Sequence, residues 1–133
     1  MSTKSKGSNA ERELIHMFWS KGFAAIRSAG SGSMKYPSPD LLVAKNNKIL
    51  AIECKITKNT SKYFEKREIE ELAHFSKIFN SISYIAIKFK ANEWFFLEIN
   101  QLIEKEKSFM IDIKTAKQKA KTFEELLNVF IKE

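Results

Sequence analysis

Two strand-like runs, Leu41–Lys45 (LLVAK) and Lys48–Lys55 (KILAIECK), are separated by nothing but Asn46-Asn47. A two-residue connection between such segments predicts a β-hairpin, and asparagine is one of the few residues besides glycine that tolerates the left-handed angles this turn demands. The hairpin fixes what lies opposite what. Asp40 opens one arm and Glu53 lies near the far end of the other, so antiparallel pairing brings the two carboxylates side by side across twelve intervening residues. Because side chains alternate along a strand, Ile52 and Cys54 face one way and Glu53 and Lys55 the other.

The rest of the chain predicts an α/β fold with a mixed central β-sheet flanked by helices, in one domain over residues 1–133. A first helix is expected over residues 9–21: Ser8 and Glu11 fit a capping box, Leu14, Ile15, Phe18 and Trp19 recur at helical spacing, and Gly22 closes it. Residues 1–8, small, polar and basic, read as a flexible tail ordered by something negative. Phe23–Arg27 is a short first strand, and Ser28–Pro39 (SAGSGSMKYPSP) is a loop that gathers two of the four glycines and both prolines. Residues 56–65 read as a basic connection, and Ile69, Leu72, Ala73, Ser76 and Phe79 mark a helix ending near Asn80. Ser83–Lys90 and Glu93–Ile99 form a second strand pair, Gln101–Glu106 reads as a helical turn, and Phe109–Ile113 is strand-like. Thr122 with Glu125 caps a last helix carrying Leu126, Leu127, Phe130 and Ile131.

Charge narrows the partner: 23 Lys and Arg against 16 Asp and Glu leave a net charge of +7, which favours a polyanion. Nucleic acid fits better than a membrane, because apolar runs are only a few residues long. No secretory pattern opens the sequence, and the single cysteine, Cys54, has no thiol partner for a disulfide or a zinc site; a cytoplasmic protein is expected. Against that basic background, paired carboxylates at Asp40 and Glu53 make an oxygen-rich site for a hard cation such as Mg²⁺, with Mn²⁺ as a substitute. Lys55, on the face of Glu53, adds a positive charge that can steer a nucleophile and offset charge building on a phosphate.

Pro39-Asp40, the spacer and Glu53-Cys54-Lys55 together resemble the PD-(D/E)xK nuclease superfamily, whose core is restriction-endonuclease-like. Within it, the order of Asn9-Ala10-Glu11-Arg12-Glu13-Leu14, the strand ending in Arg27, Gly30-Ser31-Gly32, Pro39-Asp40 and Ala51-Ile52-Glu53-Cys54-Lys55 is similar to that of archaeal Holliday junction resolvases. The resemblance covers roughly residues 6–100 and is specific over residues 6–58. It implies that Glu11, Asp40 and Glu53 ligate one or two divalent metals, that Lys55 assists the attacking water, that Arg12 and Arg27 hold phosphates, and that Ser31 contacts the scissile strand. It also implies a homodimer with two active sites on one basic face, cutting opposed strands of a four-way DNA junction. The sequence departs from the pattern at Glu70-Glu71-Leu72, where many relatives carry a glutamine, which puts the role of that amide in doubt.

Each assignment has a plainer competitor. Glu11 has a purely structural job if it completes a capping box on Ser8. Arg12 and Arg27 are otherwise surface charges, Ser31 is otherwise turn chemistry, and His16 and His74, with no paired histidine at ligand spacing, read as structural. Cys54 reads as a small apolar residue under the sheet, although its backbone carbonyl is a candidate metal ligand. Lys58, Lys62, Tyr63, Lys66 and Arg67 are either a solvated edge or a phosphate track, with Lys58, Lys62 and Tyr63 the candidate DNA contacts. Phe95, Phe96 and Leu97 exceed the needs of one core face and suggest a dimer interface, against simple core packing. The alternatives to a junction resolvase are a restriction- or repair-type nuclease of the same superfamily and a silent DNA-binding protein, which would gain nothing from carboxylates gathered beside phosphate. No small-molecule cofactor is expected.

Overall fold

A computed structural model describes residues 3–28, 36–90 and 93–131. Its organising unit is the asparagine hairpin. Asn46 and Asn47 both adopt left-handed angles (φ 53° and 65°), and they join β2 (Leu41–Lys45) to β3 (Lys48–Thr57) in a register that pairs Val43 with Leu50 and Leu41 with Ile52. One further step along that register sets Asp40 across from Glu53. β1 (Ala24–Arg27) pairs antiparallel with β2 on the outer side.

On its other side β3 runs parallel to β5 (Ile82–Phe89), which pairs antiparallel with β6 (Trp94–Glu98), giving the order β1-β2-β3-β5-β6. A parallel pair needs a crossover, here β4 (Ser61–Glu65) and α2 (Lys66–Phe79). α2 ends where the sequence predicts, and Asn80 caps it in the left-handed region with a φ of 57°.

Both faces of the sheet are covered. On one, α1 (Thr3–Ser20) and α4 (Phe123–Ile131) bury Leu14, Phe18, Leu126 and Phe130 against Leu41, Val43, Leu50, Ile52 and Phe96. On the other, Ile69 and Leu72 of α2, Ala116 of α3 (Ile113–Lys119) and a small second sheet bury Ala51, Ile85, Ile87, Phe95 and Leu97. That second sheet has the order β4-β8-β7, with β7 at Ile103–Glu104 and β8 at Ser108–Asp112. Among the described residues no helix is long and apolar enough to cross a membrane.

The structure corrects several expectations. Residues 56–65 are not a plain connection: β3 runs on to Thr57, and β4 follows because Phe64 points inward against Phe109 of β8. Residues 101–106 are not a helical turn; a single 3₁₀ turn covers Ile99–Gln101 and β7 follows. α3 carries too short an apolar pattern to have been expected. α1 starts at Thr3, ahead of residue 9, so Ser8 sits inside the helix and cannot cap it. Phe95, Phe96 and Leu97 are 7%, 0% and 0% exposed within the chain itself, so they are not a spare apolar surface for a dimer. A strand buried on both faces reads as a continuous apolar run. The final capping box is as expected, with Glu125 accepting from the Thr122 N–H at 2.8 Å and Thr122 Oγ1 accepting from the Glu125 N–H at 3.2 Å.

Phe18 pins the α1 face: it is fully buried and lies edge-on to Phe23, Phe96 and Phe123, with centroids 5.7, 6.3 and 5.1 Å away. Phe18→Ala is expected to destabilise the chain by about 3–5 kcal/mol, read from the urea midpoint, because few neighbours can collapse into the space. A loss below about 1 kcal/mol would mean that α1 is not docked as described.

Candidate functional site

Asp40 sits just before β2, after the buried Pro39, and its carboxylate Oδ2 accepts from the Cys54 backbone N–H at 2.8 Å. Its own carbonyl accepts from the Ser28 N–H at 2.9 Å, which ties the end of β1 to the site. Burial pushes the Asp40 carboxyl up to about 6; the Cys54 N–H opposes the shift, the charges of Glu11 and Glu68 add to it, and Lys55 opposes it. Glu53 is pushed further, to about 8, by burial and then by the negative charge of Asp40, with Lys55 the nearest compensating charge. Two carboxylates that resist ionising together lie where the hairpin register put them.

Lys55 follows on the same face. Its ammonium lies 4.0 Å from Glu53 Oε2 but 2.7 Å from Glu68 Oε2, on the first turn of α2. Burial works against its charge, yet the hydrogen bond and the charge of Glu68, with those of Glu53 and Asp40, hold its pKa above the usual lysine value. Glu68 is a residue that sequence reasoning missed, because nothing in a Glu-x-x pattern on a helix names the strand lysine it will meet. Glu71, in the segment that departs from the family pattern, lines a small polar cavity of about 60 Å³ with Ser38, Glu53, Glu68 and Leu72, and is tied to Arg67 at 3.0 Å.

Glu11 comes to the same end of the sheet from α1. It does not complete a capping box, since Ser8 lies within the helix; its Oε1 instead accepts from Arg27 Nε at 2.8 Å, and Arg27 Nη2 donates to Ser8 Oγ at 3.3 Å. Arg12 is exposed on α1. Ser31 falls outside the described residues. Cys54 packs its thiol against the core on the α1 face, where burial raises its pKa, so it is no nucleophile. His16 and His74 are exposed on α1 and α2.

The basic residues divide differently from their order in sequence. Lys58 lines a cleft of about 530 Å³ with Lys6, Lys88 and Lys90, floored by Ile56 and Phe89, whereas Lys62 and the 58% exposed Tyr63 lie on β4 in the second sheet. Lys88 is anchored by Glu13 at 3.1 Å, and Glu13 in turn accepts from Trp94 Nε1 at 2.6 Å. Lys6, Lys88 and Lys90 were missed because only the fold carries them to Lys58.

The donor set suits a hard cation. Asp40 and Glu53 supply carboxylate oxygens crowded in a partly dry pocket, and the Cys54 carbonyl lies on the strand between Glu53 and Lys55. Among the described residues no three acidic, histidine or cysteine side chains converge into a full ligand set, and Mg²⁺ in particular is commonly held by one or two carboxylates with water completing the shell.

A mixed five-stranded sheet covered on both faces, with Pro39-Asp40 beside Glu53-Cys54-Lys55, is the core of a PD-(D/E)xK-type nuclease. The family model described as "Archaeal holliday junction resolvase (hjc)" matches residues 2–133. The crossover junction endodeoxyribonuclease Hjc of Archaeoglobus fulgidus is 40% identical over 109 residues, 82% of this chain and 80% of that protein. That of Sulfolobus acidocaldarius is 35% identical over 130 residues, 96% of this chain and 90% of that protein. The solved structure of Archaeoglobus fulgidus Hjc, a Holliday junction resolvase, superposes with a TM-score of 0.84 at 33% identity, covering 92% of this chain and 96% of that one. The chain belongs to the archaeal Holliday junction resolvase family.

Asp40 and Glu53 both hold protons more tightly when folded, so the stability linked to their neutral forms is complete below about pH 4 and is lost as pH rises toward about 8. In EDTA the stability read from the urea midpoint is expected to fall across that window, and Glu53→Gln to flatten the fall. A midpoint that is flat or rising over the same range contradicts the crowded pair.

Proposed function

We propose that this chain is a homodimeric, Mg²⁺-dependent endonuclease that resolves four-way DNA junctions by paired cuts on opposed strands, with Mn²⁺ able to substitute. The observation that carries the site assignment is the burial of Asp40 and Glu53 side by side on a protein of net charge +7. A protein that only bound phosphate would keep such a pair away from its ligand.

Asp40 and Glu53, with the Cys54 carbonyl, would hold the cation, and Glu11 would join them as its Arg27 partner turns to a phosphate. When bound, the cation supplies a Lewis acid that acidifies the attacking water and offsets charge on the phosphoryl oxygens. Lys55 holds its ammonium beside Glu53, where it orients that water and stabilises developing negative charge. Arg12, Arg27, Lys58, Lys62 and Tyr63 would grip the backbone of the arms, and Ser31 would contact the scissile strand. The cytoplasm, where the DNA lies, is its expected place.

Asp40→Asn and Glu53→Gln are expected to abolish cleavage of a labelled junction in Mg²⁺ while leaving binding unchanged or tighter, since each removes negative charge from a surface facing phosphate. Lys55→Ala should be similarly slow and bind slightly less well. A matched duplex and a single strand, run beside the junction with and without Mg²⁺, separate the readings: equal cutting of duplex favours a restriction- or repair-type nuclease, and no cutting of any substrate a silent binder.

A two-fold dimer suits a two-fold junction, and an exposed apolar patch supports one. Ile26 is 60% exposed, Tyr36 74%, Ile78 74% and Phe79 44%, and Ile26 and Phe79 share an apolar groove of about 280 Å³ with Leu42 and Ile49. Wild-type protein should convert a cruciform-bearing supercoiled plasmid mainly to linear product. Ile78→Asp should sediment as a monomer and yield mainly nicked circles; linear product from a monomer contradicts the paired-cut reading.

A further inference from the structure

Lys55 meets Glu68 more closely than it meets either carboxylate of the buried pair, at 2.7 Å against 4.0 Å to Glu53. Glu68 is not free to follow it. It occupies the third position of α2, where its Oε1 accepts from the Glu65 backbone N–H at 3.3 Å in a reciprocal capping box, so the helix end fixes one oxygen and leaves Oε2 aimed at the lysine. Capping alone accounts for only one of the two oxygens. Both side chains are about a quarter to a third exposed, 25% for Lys55 and 32% for Glu68, and Glu68 lines the cavity that Glu53 also lines. A lysine stem has four rotatable bonds, and next to two crowded carboxylates an untethered ammonium would settle onto them.

We infer that Glu68 is the positioning residue of this site: it holds the Lys55 ammonium beside Glu53 but off it, so that the Asp40–Glu53 pair stays open to the cation. The inference rests on the proposed role of Lys55. It makes α2, and not the strand alone, responsible for where the catalytic charge stands.

The test is a double-mutant cycle in single-turnover junction cleavage, with junction binding in Ca²⁺ and thermal stabilisation by Mg²⁺ as separate readouts. Glu68→Ala is expected to slow cleavage about 30-fold with junction affinity within about twofold, because a misplaced catalytic group loses rate and not binding. It should also need more Mg²⁺ for half-maximal thermal stabilisation, since the released ammonium competes for Glu53. Glu68→Gln keeps one oxygen for the helix cap but has no second acceptor for the Lys55 ammonium, so it should slow cleavage about as much as Glu68→Ala while leaving the helix end intact. On a Lys55→Ala background neither change at Glu68 should slow cleavage further. An equal slowing by Glu68→Ala on both backgrounds, or cleavage at the wild-type rate by Glu68→Ala or Glu68→Gln, would overturn the inference. If Glu68→Ala does not fold, Glu68→Gln on the two backgrounds makes the same comparison, and additivity overturns it. Lys55→Ala cleaving at the wild-type rate would instead remove the catalytic reading of Lys55 beneath it.

Discussion

The hairpin register places two carboxylates side by side in a pocket where they cannot both ionise cheaply, and the neighbouring groups are arranged around that repulsion. Burial first, and then the charge of Asp40, push the Glu53 carboxyl up to about 8, which keeps it neutral near pH 7. The Cys54 N–H on Asp40, the Lys55 ammonium near Glu53 and the Asp40 carbonyl accepting from Ser28 relieve or fix the pair without cancelling it. What remains is an unmet demand for positive charge at one end of a basic protein.

The flanking elements carry their own charges to the same end. α1 brings Glu11 held by Arg27, an acid and a base paired at 2.8 Å. α2 brings Glu68, which ties the strand lysine to a helix terminus. Glu13, Lys88 and Trp94 join α1 to the far strands and hold one wall of the basic cleft. The site is thus assembled from three elements that meet only because the sheet is covered on both faces.

Much of this was legible from residues. Asn46-Asn47 between two apolar runs allowed little but a tight hairpin, and the hairpin alone placed Asp40, Glu53 and Lys55. The helix ending at Asn80 and the Thr122–Glu125 cap were legible because capping is local chemistry. β4 and β7 were not, since short strands of a small second sheet acquire their pairing from distant β8. Ser8 and Glu11 mimicked a capping box because its spacing is equally that of neighbours on one helix face. Phe95–Leu97 mimicked an interface because sequence does not reveal that α3, α4 and a second sheet cover both sides of their strand. Ile26 and Ile78, individually ordinary, each line a groove that includes Phe79 only in the folded chain.

The central proposal is that Asp40 and Glu53 together would hold a divalent cation, and that the proton kept on Glu53 near neutral pH would leave as the cation binds. Calorimetric titration of the DNA-free protein with Mn²⁺ near neutral pH, in two buffers of different ionisation enthalpy, counts that proton directly. The account predicts release of about one proton per site by the wild-type chain and close to none by Glu53→Gln. Binding by both proteins with equal affinity and no proton release would contradict it.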